Sequence, residues 1–405
     1  MSNHDLILAS GDGLARLKWE YEKERTSFAD LLCFGTADMD YRTPEPILEA
    51  LRGIVDRGHL GYPLVPDAYY KAIHDWLLRT AGWEIDARTC VGNNVGIYMS
   101  ALHVIQTMTK PGDKITILTP VHFCFRRMIN LNGRFAIECP LVNENGAYRI
   151  DYGMLDACLA SGSKMLWLCN PHNPIGRTWS REELGKIAEL CLKHRVLILS
   201  DDVYCGLIFP GRAYTPIASL SREISYRTVT LYSTSKSYNT TALRHSFIVA
   251  ENPEISKMYQ EALERADLNY GLNIMGIAAV IAAYNECGEW LCTLMKQIQK
   301  NHRFFTEFLA KNAPGAVVTP AEAAYFAWVN VQQLGINPKQ LGYLLEQEEH
   351  MIVENGVELG KGGSGFIRVN LATSEENLQE GARRFQHFWQ QHQPAGQKTD
   401  NRQRK

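Results

Sequence analysis

The stretch Val229-Thr230-Leu231-Tyr232-Ser233-Thr234-Ser235-Lys236-Ser237-Tyr238-Asn239 carries an apolar run straight into a lysine set among small hydroxyl residues. Such a run reads as a strand of a buried parallel sheet, whose carboxyl end opens on a ligand. Alone, the pattern recurs by chance in chains of this length. Two segments upstream repeat the layout. Val196-Leu197-Ile198-Leu199-Ser200-Asp201-Asp202-Val203-Tyr204 runs four apolar residues into an aspartate, and Met165-Leu166-Trp167-Leu168-Cys169 leads into Asn170-Pro171-His172-Asn173-Pro174-Ile175-Gly176. Two X-Pro steps and a glycine make the latter a tight loop at a strand end. Three strands therefore present Asn173, Asp201 and Lys236 from equivalent positions.

These groups form a chemical set. An amine can meet a carbonyl, the Ser233 and Ser235 hydroxyls can hold a phosphate, and a carboxylate can keep a pyridine nitrogen protonated, which are the handles by which proteins hold pyridoxal 5'-phosphate. The Asn173 amide suits the ring hydroxyl. Gly92-Asn93-Asn94-Val95-Gly96-Ile97 opens a helical segment whose free amides, Val95 and Gly96 contributing backbone only, suit an anion. With these residues the chain resembles a fold-type I pyridoxal phosphate-dependent enzyme of the aminotransferase class I/II superfamily, from about residue 30 to about residue 390. Ala37-Asp38-Met39-Asp40-Tyr41, Gly61-Tyr62 and Ser235-Lys236-Ser237-Tyr238-Asn239 are similar to its MalY/PatB-type cystathionine β-lyase (C–S lyase) branch.

The resemblance implies an α/β fold with a mostly parallel seven-stranded sheet sandwiched by helices in a large cofactor domain, residues 46–284. A smaller α+β domain would follow over 285–390, joined by the amino-terminal segment 1–45, and the tail 391–405, which lacks apolar periodicity, is expected to be disordered. It also implies roles. Lys236 would bind the cofactor and take the substrate Cα proton. Asp201 would face the pyridine nitrogen; Asp202 is its rival, but the spacing to Tyr204 fits Asp201. Tyr204 and Asn173 would bond the ring hydroxyl, Ser233, Ser235 and Arg244 the phosphate, and Arg368, with Asn173 and Ala37, the substrate. His122 stands where the family stacks an aromatic ring on the cofactor, with Phe123 as the alternative. Tyr62 would cross from a partner subunit, making the protein a homodimer with shared active sites. Tyr204 and Arg244 are closer to the wider aminotransferase pattern than to the lyase branch.

Composition bounds the rest. The chain has 405 residues, 45% of them hydrophobic, and a net charge of -2, which leaves no electrostatic footprint for nucleic acid or an anionic membrane. No run approaches the length of a membrane span, and the amino terminus lacks a signal-peptide layout, so a cytoplasmic protein is expected. Ten cysteines are scattered without a CxxC pair, several inside apolar runs, and read as reduced structural thiols with no metal site. Ser180-Arg181-Glu182-Glu183 spells a capping box ahead of a helix with Leu184, Ile187, Ala188 and Cys191 on one face. The GxGxxG at Gly360–Gly365 runs into a strand pattern, not a helix, so it is read as a flexible loop rather than a dinucleotide site.

The leading functional expectation is β-elimination from cystathionine or a cysteine S-conjugate. Transamination of an L-amino acid is the alternative, on the strength of Arg244 and Tyr204. A non-catalytic, cofactor-binding regulator is a third reading, for which no residue speaks.

Overall fold

The computed structural model of the chain describes residues 5–9, 15–269 and 273–393. The expected tail lies outside them, apart from 391–393, which close the helix Glu375–His392.

A central sheet of seven strands runs in the order Val91–Asn94, Ser246–Val249, Thr228–Tyr232, Leu197–Asp201, Ser163–Cys169, Lys114–Thr119 and Phe135–Pro140. Ser246–Val249 is antiparallel to both its neighbours, and the other pairs are parallel. The unbroken apolar runs have their cause here. Met165 and Trp167 pack with Leu199 and with Val104 and Ile105 of the helix Ile97–Met108. Leu166 and Leu168, pointing the other way, pack with Ile198 and with Leu184 and Ile187 of the helix Arg181–Lys193. Helices on both faces leave neither side of these strands free to be polar. The second helix starts at its capping box, with the Ser180 side chain taking the Glu183 N–H and the Glu183 side chain taking the Ser180 N–H.

A second, antiparallel sheet of four strands follows, ordered Val317–Val318, Phe326–Asn330, Phe366–Asn370 and Glu354–Asn355. Val329, Ile367 and Val369 pack there with Phe305 of the helix Gly288–Asn312 and with Phe385 and Trp389 of the helix Glu375–His392. The amino-terminal segment is tied into this region by the parallel pairing of Leu32–Cys33 with Met351–Ile352. Beyond that strand, buried Lys18 fixes the chain, its Nζ 3.0 Å from the Asp40 carboxylate and 3.1 Å from the Asp38 carbonyl oxygen. Trp19 Nε1 donates to the same Asp40 carboxylate at 2.6 Å. Among the described residues no helix is long and apolar enough to cross a membrane.

Candidate active site

The strands Ser163–Cys169, Leu197–Asp201 and Thr228–Tyr232 lie side by side and end together, so the loops that follow them converge. They open on a cleft lined by both polar and apolar side chains, as a small-molecule site requires. Its walls include Lys236, Asp201, Tyr204, Asn173, Ser233, Ser235, Arg244, Val95, Gly96, His122 and Ala37. Arg368 joins them from the second sheet, donating from Nη1 to Asn173 Oδ1 at 3.0 Å. Tyr62 stands apart, 88% exposed, in a stretch with Leu60 at 65% and Leu64 at 93%.

Burial dominates the electrostatics. It pulls the Lys236 amine down to about 8, against the attraction of Asp38, and Arg368 pulls it the same way. Lys236 Nζ donates to the Ala37 carbonyl oxygen at 2.8 Å, which seats the amino-terminal segment against the lysine. The same oxygen accepts from the Tyr325 hydroxyl at 3.2 Å. Burial pushes Asp201 up to about 7, opposed by the Val203 N–H on Oδ1 at 3.3 Å and by the charge of Lys236.

The two adjacent aspartates separate cleanly. Asp202 does not line the cleft: its carboxylate accepts from the Ser200 and Tyr214 hydroxyls, and Tyr214 lies 2.9 Å from the Tyr232 hydroxyl in turn. Successive side chains on a strand alternate in direction, so only one of the pair can face the ligand side. Burial lifts Asp202 to about 8, and the neighbouring Asp201 adds to it.

At the far end of the cleft, Gly96 sits at φ +102°, a conformation that suits glycine, and turns the chain into the helix Ile97–Met108. Hydrogen bonding within this helix begins with the Met99 and Ser100 N–H groups on the Gly96 carbonyl, so the Ile97 and Tyr98 N–H groups have no intrahelical acceptor. The Arg244 side chain lies 3.9 Å from where a Cβ on Gly96 would be, and Ser235 lines the same cleft. Ser233 is partly engaged, its Oγ donating to the His245 carbonyl at 2.7 Å and accepting the Ser235 N–H at 3.1 Å. An anion fits this donor set, an aromatic aldehyde fits Lys236, and a ring nitrogen fits Asp201.

The sequence reading passed over several residues in and around this site. Tyr98 lies parallel to His122, with ring centroids 6.2 Å apart and its hydroxyl 3.2 Å from His122 Nδ1, and burial with the nearby cations Arg368 and Lys236 keeps that imidazole neutral. Phe123 is tilted against His122 at 4.6 Å and packs with the core around Trp179, away from the cleft lining. Cys169, Thr241 and His245 also line the cleft. Tyr325 reaches the site through Ala37 and through an edge contact with Tyr204 at 5.9 Å. Tyr98 was findable two residues beyond the glycine that starts the helix; Tyr325 was not, because nothing local distinguishes it from a core tyrosine.

The chain is similar to known proteins over most of its length. The family model "Aminotransferase class I and II" matches residues 29–385. The cystathionine beta-lyase PatB of Bacillus subtilis is 34% identical over 374 residues, covering 92% of this chain and 96% of PatB. Cystalysin from Treponema denticola, whose crystal structure contains pyridoxal 5'-phosphate, superposes with a TM-score of 0.90 at 29% identity, covering 94% of this chain and 97% of cystalysin. A PLP-bound structure from Clostridium difficile, described as that of a candidate aminotransferase, gives 0.91 at 30% identity over 95% and 98% of the two chains. With the family model matching most of its length, and with this identity and fold in common with these proteins, the chain belongs to the class I and II aminotransferase family.

Proposed function

We propose that this protein is a pyridoxal phosphate-dependent carbon–sulfur β-lyase that cleaves cystathionine or a cysteine S-conjugate to a thiol, pyruvate and ammonia. The observation that carries the reading is the 34% identity to a cystathionine beta-lyase over 92% of the chain. The cleft supplies the parts. Bound there, the cofactor would withdraw electrons from the substrate Cα. Asp201 would hold the ring nitrogen's proton, Asn173 and Tyr204 would take the ring hydroxyl, and the Gly96 turn with Ser233, Ser235 and Arg244 would hold the phosphate. Arg368 and Asn173 would orient the α-carboxylate at Ala37. Lys236 would take the Cα proton, whose bonding electrons form the Cα=Cβ bond as the Cβ–S electrons leave with sulfur; the thiolate is then protonated, and the released 2-aminoacrylate takes up water as its imine to give pyruvate and ammonia. His122 is the flat group for the ring face.

Tyr62 is the residue of this set that its own chain leaves outside the cleft. Its exposed neighbours Leu60 and Leu64 support a homodimer in which a partner covers this stretch and receives Tyr62. We divide the chain into an amino-terminal segment 1–45, a cofactor domain 46–284 and a smaller domain 285–390, and place the protein in the cytoplasm. The cysteines, all free, support that location.

Arg244 and the likeness to the C. difficile protein favour a second reading, transamination. Incubation with cystathionine and no 2-oxo acid separates the two. A lyase releases thiol, pyruvate and ammonia in equal amounts over many turnovers. Arrest after one turnover per site, relieved by a 2-oxo acid and without thiol, would overturn the lyase reading.

A further inference from the structure

Arg368 is a buried cation with a counterion of its own. Glu354 stands directly opposite it on the neighbouring antiparallel strand, and Glu354 Oε2 lies 3.2 Å from Arg368 Nη2. The arginine side chain is 1% exposed and the glutamate 20%. Much of the guanidinium is also committed, since Nη2 donates to the Gly35 carbonyl at 2.9 Å, Nη1 to Asn173, and Cζ lies 4.2 Å from the Phe326 ring centre. Nε is buried and has no partner among the described residues. An arginine that receives a carboxylate needs donors in reserve, and here only Nε and the second proton of Nη1 remain.

Charge follows the same count. Arg368 and Glu354 cancel each other before any ligand arrives, so a monocarboxylate adds one negative charge to the pair and a dicarboxylate adds two. In a buried pocket the second charge is costly, because water is not there to screen it. We propose that Glu354 is a specificity residue of the substrate site, admitting amino acids whose side chain adds no net negative charge, cystathionine with its zwitterionic distal end included, and turning away substrates and co-substrates with a second, uncompensated carboxylate, dicarboxylic 2-oxo acids among them. The inference rests on reading Arg368 as the carboxylate clamp. It does not depend on which reaction follows.

Propionate and succinate carry no amino group and do not react, so their binding to the holoenzyme, followed by calorimetry and by the cofactor's absorption, tests the selectivity apart from turnover. Wild type should bind propionate more tightly than succinate. Glu354→Gln, which keeps shape and removes charge, should tighten both and lower the succinate-to-propionate ratio of dissociation constants about fivefold or more, with cofactor content unchanged. Tighter succinate than propionate binding in wild type overturns the proposal, and that measurement needs no variant. An unchanged ratio in Glu354→Gln does so as well. Arg368→Lys should weaken propionate about tenfold; if it does not, the clamp reading fails and the proposal with it. A failed cystathionine assay touches neither result.

Discussion

Lys236 Nζ lies 2.8 Å from the carbonyl oxygen of Ala37, a residue 199 positions earlier in the chain. The contact joins the strand end that carries the amine to the Ala37–Tyr41 segment, and Asp38 in that segment supplies the chief charge opposing the depression of the lysine by burial. Asp38 is itself pushed up by burial and drawn back by Lys18 and Lys236.

Replacing Lys236 with alanine should lower turnover by about a thousandfold or more, since one group provides both the cofactor's attachment and the base. Cofactor should still bind, removable by dialysis and with an altered absorption band. The amine must be neutral to attack an aldehyde. With its value lowered to about 8, cofactor loading of the apoprotein should be slow below that pH and accelerate through it, rather than near 10. A loading rate flat from pH 7 to 9 would contradict the assigned environment.

The aspartate pair should divide activity from stability. Asp201→Ala should cost on the order of a hundredfold in kcat by removing a charge at the ring nitrogen. Asp202→Ala should change kcat by only a few fold yet lower stability by about 1–3 kcal/mol, because the buried Ser200 and Tyr214 hydroxyls lose their acceptor. Steady-state kinetics beside denaturant melts read both, and the reverse order of kinetic losses would show that the wrong aspartate had been assigned.

Mixing inactive Tyr62 and Lys236→Ala variants should restore activity if Tyr62 serves the neighbouring subunit. Random pairing makes about half the dimers hybrids, each with one site intact, so about a quarter of wild-type activity should return. No recovery among well-mixed dimers would place Tyr62 outside the partner's site.

Lys18→Met should destabilise the protein by about 3–5 kcal/mol, since it leaves the Asp40 carboxylate buried without its cation. Chemical unfolding measures this. A loss under about 1 kcal/mol would mean that Trp19 alone holds Asp40 in place.

What the sequence by itself determined is local. Strands covered on both faces must be apolar along their whole length, so the runs ending at Cys169, Leu199 and Tyr232 announced a parallel sheet, and the polar residues just beyond them marked its ligand edge. The capping box and the helix face after it were legible for the same reason, since each depends on neighbours three or four residues away. The spacing to Tyr204 favoured Asp201 through the family resemblance, but alternation alone fixes only that the two aspartates differ, and the tertiary structure is what puts Asp201 in the cleft wall and Asp202 on Ser200 and Tyr214. It alone set Ala37 beside Lys236, Tyr98 beside His122 and Glu354 opposite Arg368. Those pairs are made by strand register and by packing between distant segments, and register leaves no trace in the residues of either segment alone.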